Sequence, residues 1–461
     1  MRDKKRKEFD SLGLKKVQSN KMWGAQTQRS LENFNIGNEK MPIEIIKSFG
    51  LQKKAAAQSN IYFRLLNKNI GKHIIKACEQ IINLKLKDEF PLSVWQTGSG
   101  THTNMNVNEV ISNYAIKSLK GKIGSKKPIH PNDHVNLSQS SNDSFPTVMH
   151  IAINELVDKK LIPNIKNLIN DLKKKSKKFE KIIKIGRTHT QDATPITLGQ
   201  EFSGYYTQIN DCLKRILLAK KELDFIPQGG TAVGSGINAP KNFDKNFFKF
   251  LNKMTINKYK PAKNKFSSIA THDPLVNFSF SLNILAVSIQ KFINDIRLLA
   301  SGPRSGLGEI ILPANEPGSS IMPGKVNPTQ IEALSMVCLQ VMGNNLTVSL
   351  SGSQGQFELN AYKPVIAYNL IQSITLLGDS LISFNKNCLK GLRPNHKNIK
   401  KHLNNSLMLV TSLNKHIGYD NASKIAKKAY EENLTLKEAA IKLKLIDEVK
   451  FDKIVDPKKM I

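Results

Sequence analysis

The stretch LVNFSFSLNILAVSIQKFINDIRLLA, residues 275–300, is a long and strongly apolar segment of this 461-residue chain. Its apolar side chains recur at helical spacing, which predicts a helix with one continuous apolar stripe. The stripe consists of Leu275, Phe278, Leu282, Leu285, Ile289, Phe292, Ile296 and Leu299. Further apolar residues occupy the other faces, whereas polar residues such as Lys291 and Asp295 interrupt the segment within the length of a bilayer span. We therefore predict no membrane span, but a helix buried in a bundle or between subunits.

Helical periodicity dominates the rest of the central sequence. Residues 200–221 repeat apolar side chains at i, i+3, i+4 and i+7, as in an amphipathic helix. The segment GLRPNH at 391–396 then supplies the Gly and Pro punctuation of a boundary. Alternating strand patterns are scarce throughout. We predict a mostly α-helical chain with boundaries near residues 139 and 395, which gives the segments 1–139, 140–395 and 396–461, of which the middle one contains the long helices.

The charge balance at first favours a polyanionic partner. The chain has 69 Lys and Arg against 37 Asp and Glu, a formal net charge of +32. A nucleic-acid groove, however, needs clustered cations and usually aromatic side chains for stacking. The densest runs, Lys173 to Lys178 and Lys400 to Lys401, have almost no aromatic neighbours. Lysine recurs with Asn and Ile, whose codons are also A/T-rich, so base composition accounts for the excess and we predict no nucleic-acid partner.

The cysteines and the N-terminal sequence bear on the cellular compartment. Cys78, Cys212, Cys338 and Cys388 lie far apart without a CxxC pair, which argues against a zinc ribbon or a disulfide framework and fits a reducing compartment. The start MRDKKRKEFD carries no apolar run of the kind found in secretory signals. These features predict a cytoplasmic protein.

Four polar loops are richer in hydrogen-bonding groups than helix packing requires. The first, QTGSGTHTNMNVNEV at 96–110, combines Gly98 and Gly100 with hydroxyl and amide side chains. Donors grouped in this way suit a carboxylate or a phosphate. A glycine-rich helix N-cap explains the same residues equally well. The missing third glycine excludes a dinucleotide-binding fingerprint.

The second loop, IHPNDHVNLSQSSNDSFP, spans residues 129–146. Its run HPNDH invites a metal-site interpretation, but three side chains on a Pro-containing turn need not converge and no Cys is near, so we predict no metal. Residues 140–143, SSND, come just before a predicted helix. A helix N-terminus with neutral donors favours an anion, although capping alone would account for one or two of these residues.

The third loop, GRTHTQDATPITLGQEF at 186–202, places Thr188 and His189 just before the amphipathic helix of residues 200–221. A lone histidine is often only a structural hydrogen-bonding residue. The predicted helix start beside it favours a catalytic role more than a lone histidine would. The residues alone leave both interpretations open.

The fourth loop, EPGSSIMPGKVNP at 316–328, is the most informative. Two glycines and three prolines surround Ser319, Ser320 and Lys325, a composition typical of a mobile active-site loop. The spacing of its glycines and the valine after the lysine do not fit a phosphate-binding P-loop.

In this order and spacing, the four loops resemble those of the fumarase/aspartase superfamily, in which GSSIMPGKVNP is the hallmark sequence. The resemblance covers nearly the whole chain from KMWGAQTQRS at 21–30 onward. Within the superfamily it is closest to the class II fumarases, on QTGSGT at 96–101, HPNDHVN at 130–136 and GRTHTQDATP at 186–195. It implies the reversible hydration of fumarate to L-malate in the citric acid cycle, without a metal or another cofactor.

The resemblance also implies an architecture. Proteins of this superfamily have three all-α domains, and the middle domain is a bundle of five long helices. Four such bundles form a twenty-helix core in a homotetramer. Each active site is shared by three subunits, so the four loops need not meet within one chain. The expected ligand is a small dicarboxylate.

The resemblance assigns roles to individual residues. Ser319 is similar to the base that removes the C3 proton of malate, and His189 to the residue that acts with a bound water as the acid. Glu332 matches the carboxylate partner of that histidine. A serine acts as a base only when N–H groups and a cation stabilise its alkoxide, and we expect the glycine-rich loop with Lys325 to provide both. The implied substrate contacts are Ser99, Gly100, Thr101, Ser140, Ser141, Asn142, Thr188, Ser320, Lys325 and Asn327.

A second carboxylate site is implied at His130, Pro131, Asn132 and Asp133. Lys127, just upstream, stands where arginine is common in this family, and lysine cannot make a bidentate contact to a carboxylate.

Three rival functions remain: aspartate ammonia-lyase, which shares the loop and the base, a catalytically silent structural relative, and a nucleic-acid-binding protein. The joint presence of the proposed base, acid and lysine argues against the silent relative.

Overall fold

The chain folds mostly into α-helices, which confirms the predicted fold class. The computed structural model describes residues 4–461, so the first three residues of the charged N-terminal stretch lie outside the described residues. The α-helices in the described part are α1 (Ala25–Asn33), α2 (Ile43–Tyr62), α3 (Lys68–Ile82), α4 (Thr101–Ser118), α5 (Ser141–Leu156), α6 (Ile162–Lys178), α7 (Leu198–Lys220), α8 (Phe243–Leu251), α9 (Lys265–Ala270), α10 (Asp273–Leu299), α11 (Thr329–Gly352), α12 (Lys363–Phe384), α13 (His396–Asn405), α14 (Asn414–Ile417), α15 (Tyr419–Glu431), α16 (Leu436–Lys442) and α17 (Glu448–Ile454).

Short strands connect some of these helices. They are β1 (Lys5–Asp10), β2 (Gly13–Gln18), β3 (Ile183–Thr188), β4 (Gln191–Thr197), β5 (Phe225–Ile226), β6 (Lys260–Pro261), β7 (Ile310–Ile311) and β8 (Arg393–Pro394). The pairs β1–β2, β3–β4 and β7–β8 are antiparallel and β5–β6 is parallel. Each sheet has two strands, so the strands are minor elements within a helical fold.

The chain divides into two compact units. Unit 1 comprises Met1–Pro163, Lys214–Ala286 and Cys338–Gly378, and unit 2 comprises Asn164–Leu213, Val287–Val337 and Asp379–Ile461. The division passes through the long helices α7, α10, α11 and α12. The division into three domains at residues 139 and 395 stays a prediction.

Helix α10 confirms the helix predicted at 275–300. Every residue of its predicted stripe is buried within the chain. By contrast, Phe280, Ile284 and Val287 are 46%, 40% and 51% exposed. By length and composition alone, α10, α11 and the segment Lys363–Leu389 could each cross a membrane. In a water-soluble protein these exposed side chains require another surface to cover them.

Helix α2 of unit 1 packs against α3, α5 and α8. A Cβ atom on Gly50 would come within 2.9 Å of the Ile82 side chain, so this glycine allows α2 and α3 to approach closely. The alanine run Ala55–Ala57 favours the helix and is buried along with it. The polar residues Gln52 and Lys53 in the same helix are also fully buried.

Candidate active site

The loop at 96–101 depends on two glycines with little space around them. Gly100 has φ +78° at the N-cap of α4, and a Cβ atom there would lie 2.1 Å from the Phe145 ring. A Cβ atom on Gly98 would lie 1.4 Å from the carbonyl oxygen of Ala361. Both positions therefore exclude a side chain. The N-cap interpretation is confirmed, and it does not exclude anion binding, because Gly100 offers no side-chain acceptor to the first turn of α4.

The hydroxyl groups of this loop converge at the start of α4. Ser99 Oγ and Thr101 Oγ1 lie 2.8 Å apart, and both side chains are half-buried. Gln96 Oε1 accepts hydrogen bonds from Thr103 N at 3.0 Å and Thr103 Oγ1 at 2.8 Å, which ties the start of the loop to the helix. A helix N-terminus with two adjacent hydroxyls suits a carboxylate.

The SSND sequence forms the N-terminus of α5 in the same unit. Ser140 is the N-cap and forms a capping box with Asp143, as the capping interpretation predicts. Ser141 Oγ accepts a hydrogen bond from Asn104 Nδ2 of α4 at 2.9 Å. Asn142 Nδ2 donates to the carbonyl of Ala232 at 2.8 Å. The structure thus brings the first two loops together through Asn104 and Ser141.

Asp143 fastens this helix start to a distant loop. Its Oδ2 accepts hydrogen bonds from Gly229 N and Thr231 N, each at 2.9 Å, and from Gln228 Nε2 at 3.1 Å. Burial raises the pKa of Asp143 to about 6. Sequence reasoning included Asp143 in the polar loop but did not find these partners, which lie 85 or more positions further along the chain.

The implied second site occupies a tight turn in unit 1. Pro131–Val135 forms one π-helical turn, and His130 is its N-cap. His130 Nδ1 accepts hydrogen bonds from the backbone N–H groups of Asn132 and Asp133, each at 3.2 Å. Burial lowers the pKa of His130, consistent with a neutral ring that accepts these bonds. Pro131 is buried, whereas Asn132 and Asp133 are exposed.

The third loop differs from the prediction. Thr188 and His189 do not adjoin a helix start, because α7 begins only at Leu198 and a β3–β4 hairpin precedes it. His189 and Thr190 form the two-residue turn, with φ angles of +53° and +60°. Such angles are unfavourable for non-glycine residues, above all for β-branched threonine. The hairpin presents His189 at an exposed tip, and within residues 4–461 its ring has no hydrogen-bond partner.

A buried ionic cluster in unit 2 holds the base of this hairpin. Arg187 Nη2 lies 2.7 Å from Glu309 Oε1, and Lys184 Nζ lies 3.3 Å from Glu309 Oε2 and 3.2 Å from Glu201 Oε2. Glu309 is fully buried. Burial also raises the pKa of Glu201. Removing one partner would leave an unpaired buried charge, so this cluster fixes the hairpin that carries His189.

The fourth loop folds back on itself. A Cβ atom on Gly318 would lie 2.0 Å from the carbonyl oxygen of Lys325, so the two ends of the loop touch at this glycine. Asn327 Nδ2 donates a hydrogen bond to the Gly318 carbonyl at 2.6 Å. Thr329 Oγ1 donates to Glu316 Oε2, also at 2.6 Å. These contacts close the loop at its base.

This closed loop surrounds Ser319 with backbone donors. Ser319 Oγ accepts hydrogen bonds from Met322 N at 2.9 Å and Ile321 N at 3.3 Å. Ser320 and Lys325 are exposed on the same loop. Two N–H groups directed at one hydroxyl oxygen stabilise negative charge on that oxygen.

A cavity of about 630 Å³ lies beside the loop in unit 2. Lys325, Asn327 and Glu332 line it, together with Arg297. Arg297 Nη2 lies 3.6 Å from Glu332 Oε1. The structure thus brings three of the predicted residues together. In the part of the chain that the structure describes, no hydrogen bond or ion pair joins His189 to Glu332.

Comparisons with known proteins bear on this arrangement. A family model described as "Lyase" matches residues 13–343, and one described as "Fumarase C C-terminus" matches residues 409–461. A class II fumarate hydratase from Rickettsia conorii is 58% identical over 456 residues, which cover 99% of this chain and 98% of that protein. The chain belongs to the class II fumarate hydratase family. The resemblance predicted from the four loops is confirmed.

Other members of the family are similar to this chain over nearly its full length. A mitochondrial fumarate hydratase from Rhizopus oryzae is 56% identical, covering 99% of this chain and 92% of its own. The crystal structure of a class II fumarase from Schistosoma mansoni has a TM-score of 0.96 at 45% identity and covers 99% of both chains. The fold of this chain is therefore that of the class II fumarate hydratases.

Proposed function

We propose that the chain catalyses the reversible hydration of fumarate to L-malate. The observation that carries the proposal is the pair of backbone N–H groups on Ser319 Oγ, in a loop that also presents a lysine. A serine hydroxyl is a poor base in water and needs such donors and a nearby cation to act as an alkoxide. Membership of the family is consistent with this chemistry.

In the dehydration direction, the Ser319 alkoxide takes the C3 proton of malate. The electron pair of the broken C–H bond moves into the neighbouring carboxylate, which becomes an aci-carboxylate with more negative charge. That pair then forms the double bond as the C2–OH bond breaks. Protonated His189 supplies, through a bound water, the proton for the departing hydroxyl, so the products are fumarate and water. The Ser319 hydroxyl then loses its proton and His189 regains one by exchange with solvent, which restores the enzyme for the next turnover. Fixed donors aimed at the developing charge contribute about 3–4 kcal/mol each in comparable sites.

We assign the carboxylate contacts to two groups of residues. The first lies in unit 1, where Ser99, Gly100, Thr101, Ser140, Ser141 and Asn142 line two helix N-termini. The second lies in unit 2 and comprises Thr188, Ser320, Lys325 and Asn327. Helix N-termini and hydroxyl donors bind a carboxylate without a metal. The carboxylate site at 130–133 stays a prediction.

We further propose a homotetramer in which each active site takes residues from three subunits. Two features support it. The exposed tip of the β3–β4 hairpin presents His189, whose ring has no hydrogen-bond partner within residues 4–461, and no hydrogen bond or ion pair joins it to Glu332 there. In addition, α11 carries an exposed apolar stripe of Met336, Leu339, Leu346 and Leu350, each 59–65% exposed. Helix faces of this kind are buried when bundles associate.

Complementation between inactive variants tests the shared site. We expect His189→Asn and Ser319→Ala proteins to be inactive alone and to regain activity after they are dissociated, mixed and reassembled. If the two residues of one site come from different subunits, random mixing of equal amounts gives about one quarter of the sites both intact residues. The mixture then has about one quarter of the wild-type activity. Each variant taken through the same cycle alone is the control. No recovery in tetramers that contain both variants would contradict the shared site.

One purified preparation tests both the association of subunits and binding to membranes. We expect the protein to remain in the supernatant after ultracentrifugation without detergent and to elute at the mass of four chains. This outcome assigns the exposed apolar faces of α10 and α11 to subunit contacts, whereas sedimentation with membranes would assign them to lipid.

We propose a cytoplasmic location and no nucleic-acid partner. Salt-sensitive retention on DNA would contradict the latter.

The substrate is tested by following the ultraviolet absorbance of fumarate. We expect the purified protein to produce fumarate from L-malate and not from L-aspartate. Fumarate from aspartate alone would assign the chain to the rival aspartate ammonia-lyase chemistry, which uses the same base and loop. No fumarate from either compound, in a protein that is folded and tetrameric, would overturn the proposed function.

A further inference from the structure

Lys53 is a buried cation that the reaction chemistry described above does not use. It lies in the middle of α2 and is fully buried. Its Nζ donates to Asn136 Oδ1 and to Gln139 Oε1, each at 3.0 Å. Both partners are neutral amides, and within residues 4–461 no ion pair involves this lysine. A buried ammonium without a carboxylate in contact is unusual, because the loss of hydration is not repaid by a salt bridge.

Hydrogen bonds connect this lysine to both loops of unit 1. Asn136 Oδ1 also accepts from Asn104 Nδ2 at 3.2 Å, and Asn104 Nδ2 donates in turn to Ser141 Oγ. Gln139, the other partner, directly precedes the N-cap Ser140. Hydrogen bonds therefore connect the ammonium to the N-terminal parts of α4 and α5, which we assign to the substrate carboxylates.

The donor character of Lys53 sets the orientation of this network. An ammonium has three donors and no acceptor, so only the oxygen of each side-chain amide can face it. Once Asn136 Oδ1 faces Lys53, the amide nitrogen of Asn104 can donate to that oxygen and to Ser141 Oγ. Because Ser141 Oγ accepts there, its own O–H is free to donate to a ligand.

None of the other charged or titratable groups that the structure describes around Lys53 contacts it as an anion that would neutralise its charge. Asp143 of α5 acts on it from a distance, and its Oδ2 is already bonded to backbone N–H groups of the Gly229–Thr231 turn. Cys78 of α3 also faces it, and burial raises the pKa of that thiol to about 12, so it stays neutral. The adjoining part of α4 presents amides, Asn104 and Asn108.

We propose that Lys53 is a positioning residue for dicarboxylate binding, which orients the Asn136–Asn104–Ser141 network and supplies a positive charge behind the carboxylate site. This inference rests on the proposed function of the loops. Burial lowers the pKa of Lys53 to about 7 in the free protein. A bound dianion stabilises the protonated form and so raises that pKa. Binding therefore weakens as the pH rises above about 7, and it takes up a proton.

The neighbouring lysine provides a matched control. Lys54 lies on the same helix, but its Nζ is 2.7 Å from Glu79 Oε1 and its side chain is partly exposed. Lys53→Met and Lys54→Met remove the same charge one residue apart. We expect Lys53→Met to raise KM for L-malate about tenfold or more, with a smaller fall in kcat, since the lost interaction is made to bound substrate before the transition state as well as in it. For Lys54→Met we expect KM within about twofold of wild type.

Proton uptake tests the same inference in the wild-type protein, even if Lys53→Met does not fold. Succinate, which cannot react, is titrated calorimetrically near pH 8 in two buffers of different ionisation enthalpy. We expect net uptake of a proton on binding in the wild-type and Lys54→Met proteins, and its loss in Lys53→Met if that variant folds. Succinate binding without proton uptake in the wild type would overturn the proposal.

The two proposals fail in distinguishable ways. If the wild type produces no fumarate from malate, the proposed function is wrong, and succinate binding still decides the role of Lys53. If the wild type is active and a folded Lys53→Met protein has the KM of Lys54→Met, the function stands and the assignment of Lys53 is wrong.

Discussion

Replacing Ser319 by alanine is expected to lower kcat for malate dehydration by about 10²–10⁴-fold, the range that a positioned general base contributes. Alanine removes the Oγ atom that receives the N–H groups of Ile321 and Met322. Ser319 is half-buried in a loop whose next residues, Ser320 and Ile321, are exposed, and the contacts that close the loop lie at Gly318 and Asn327. We therefore expect the fold not to depend on this hydroxyl. Steady-state kinetics with L-malate, followed by fumarate absorbance, measures the effect.

Ligand binding separates a loss of chemistry from a loss of structure in this variant. We expect Ser319→Ala to bind succinate with nearly wild-type affinity and to keep its thermal midpoint, because the carboxylate contacts that we propose lie on other residues. A variant that still dehydrates malate at the wild-type rate would show that another group takes the C3 proton. A variant that has lost both binding and its thermal midpoint would instead assign Ser319 a structural role.

The long helices were predictable from the sequence because their signal is local. In α10 the apolar residues repeat at helical spacing, and the structure buries that entire stripe. The β3–β4 hairpin was missed because its turn residues, His189 and Thr190, are not those that two-residue turns favour. Both adopt positive φ, which sequence preference argues against. The surrounding structure, including the Arg187–Glu309 pair, stabilises this turn against its local preference.

The candidate site shows the same division between local and long-range information. Ser319 and Lys325 could be predicted as site residues because a short motif places them in one loop. Lys53 was missed because, in the run LQKKAAAQSN at 51–60, it looks like one half of a solvated lysine pair. Its role depends on Asn136 and Gln139, which are more than 80 positions away, and no periodicity in the sequence encodes these contacts.

Gly318→Ala is expected to reduce kcat about 10²-fold or more while the thermal midpoint changes little, since a displacement of about 1 Å in a catalytic group has an effect of that size. The added Cβ atom would lie 2.0 Å from the carbonyl oxygen of Lys325 and 2.8 Å from Asn327 N. Both neighbours are backbone atoms, so the clash can be relieved only if the two ends of the loop separate. That separation moves Ser319 relative to Lys325, although the exposed loop contributes little to the core.

Gly324→Ala provides the matched control on the same loop. Gly324 has φ +78°, but a Cβ atom there would meet no other atom within 4 Å. Its substitution therefore causes backbone strain of about 1–2 kcal/mol without a clash, and we expect a smaller loss of kcat than in Gly318→Ala. Kinetics with malate and thermal unfolding of both variants measure the contrast. If Gly318→Ala retains more activity than Gly324→Ala, the close contact between Gly318 and Lys325 is not what holds Ser319 in place.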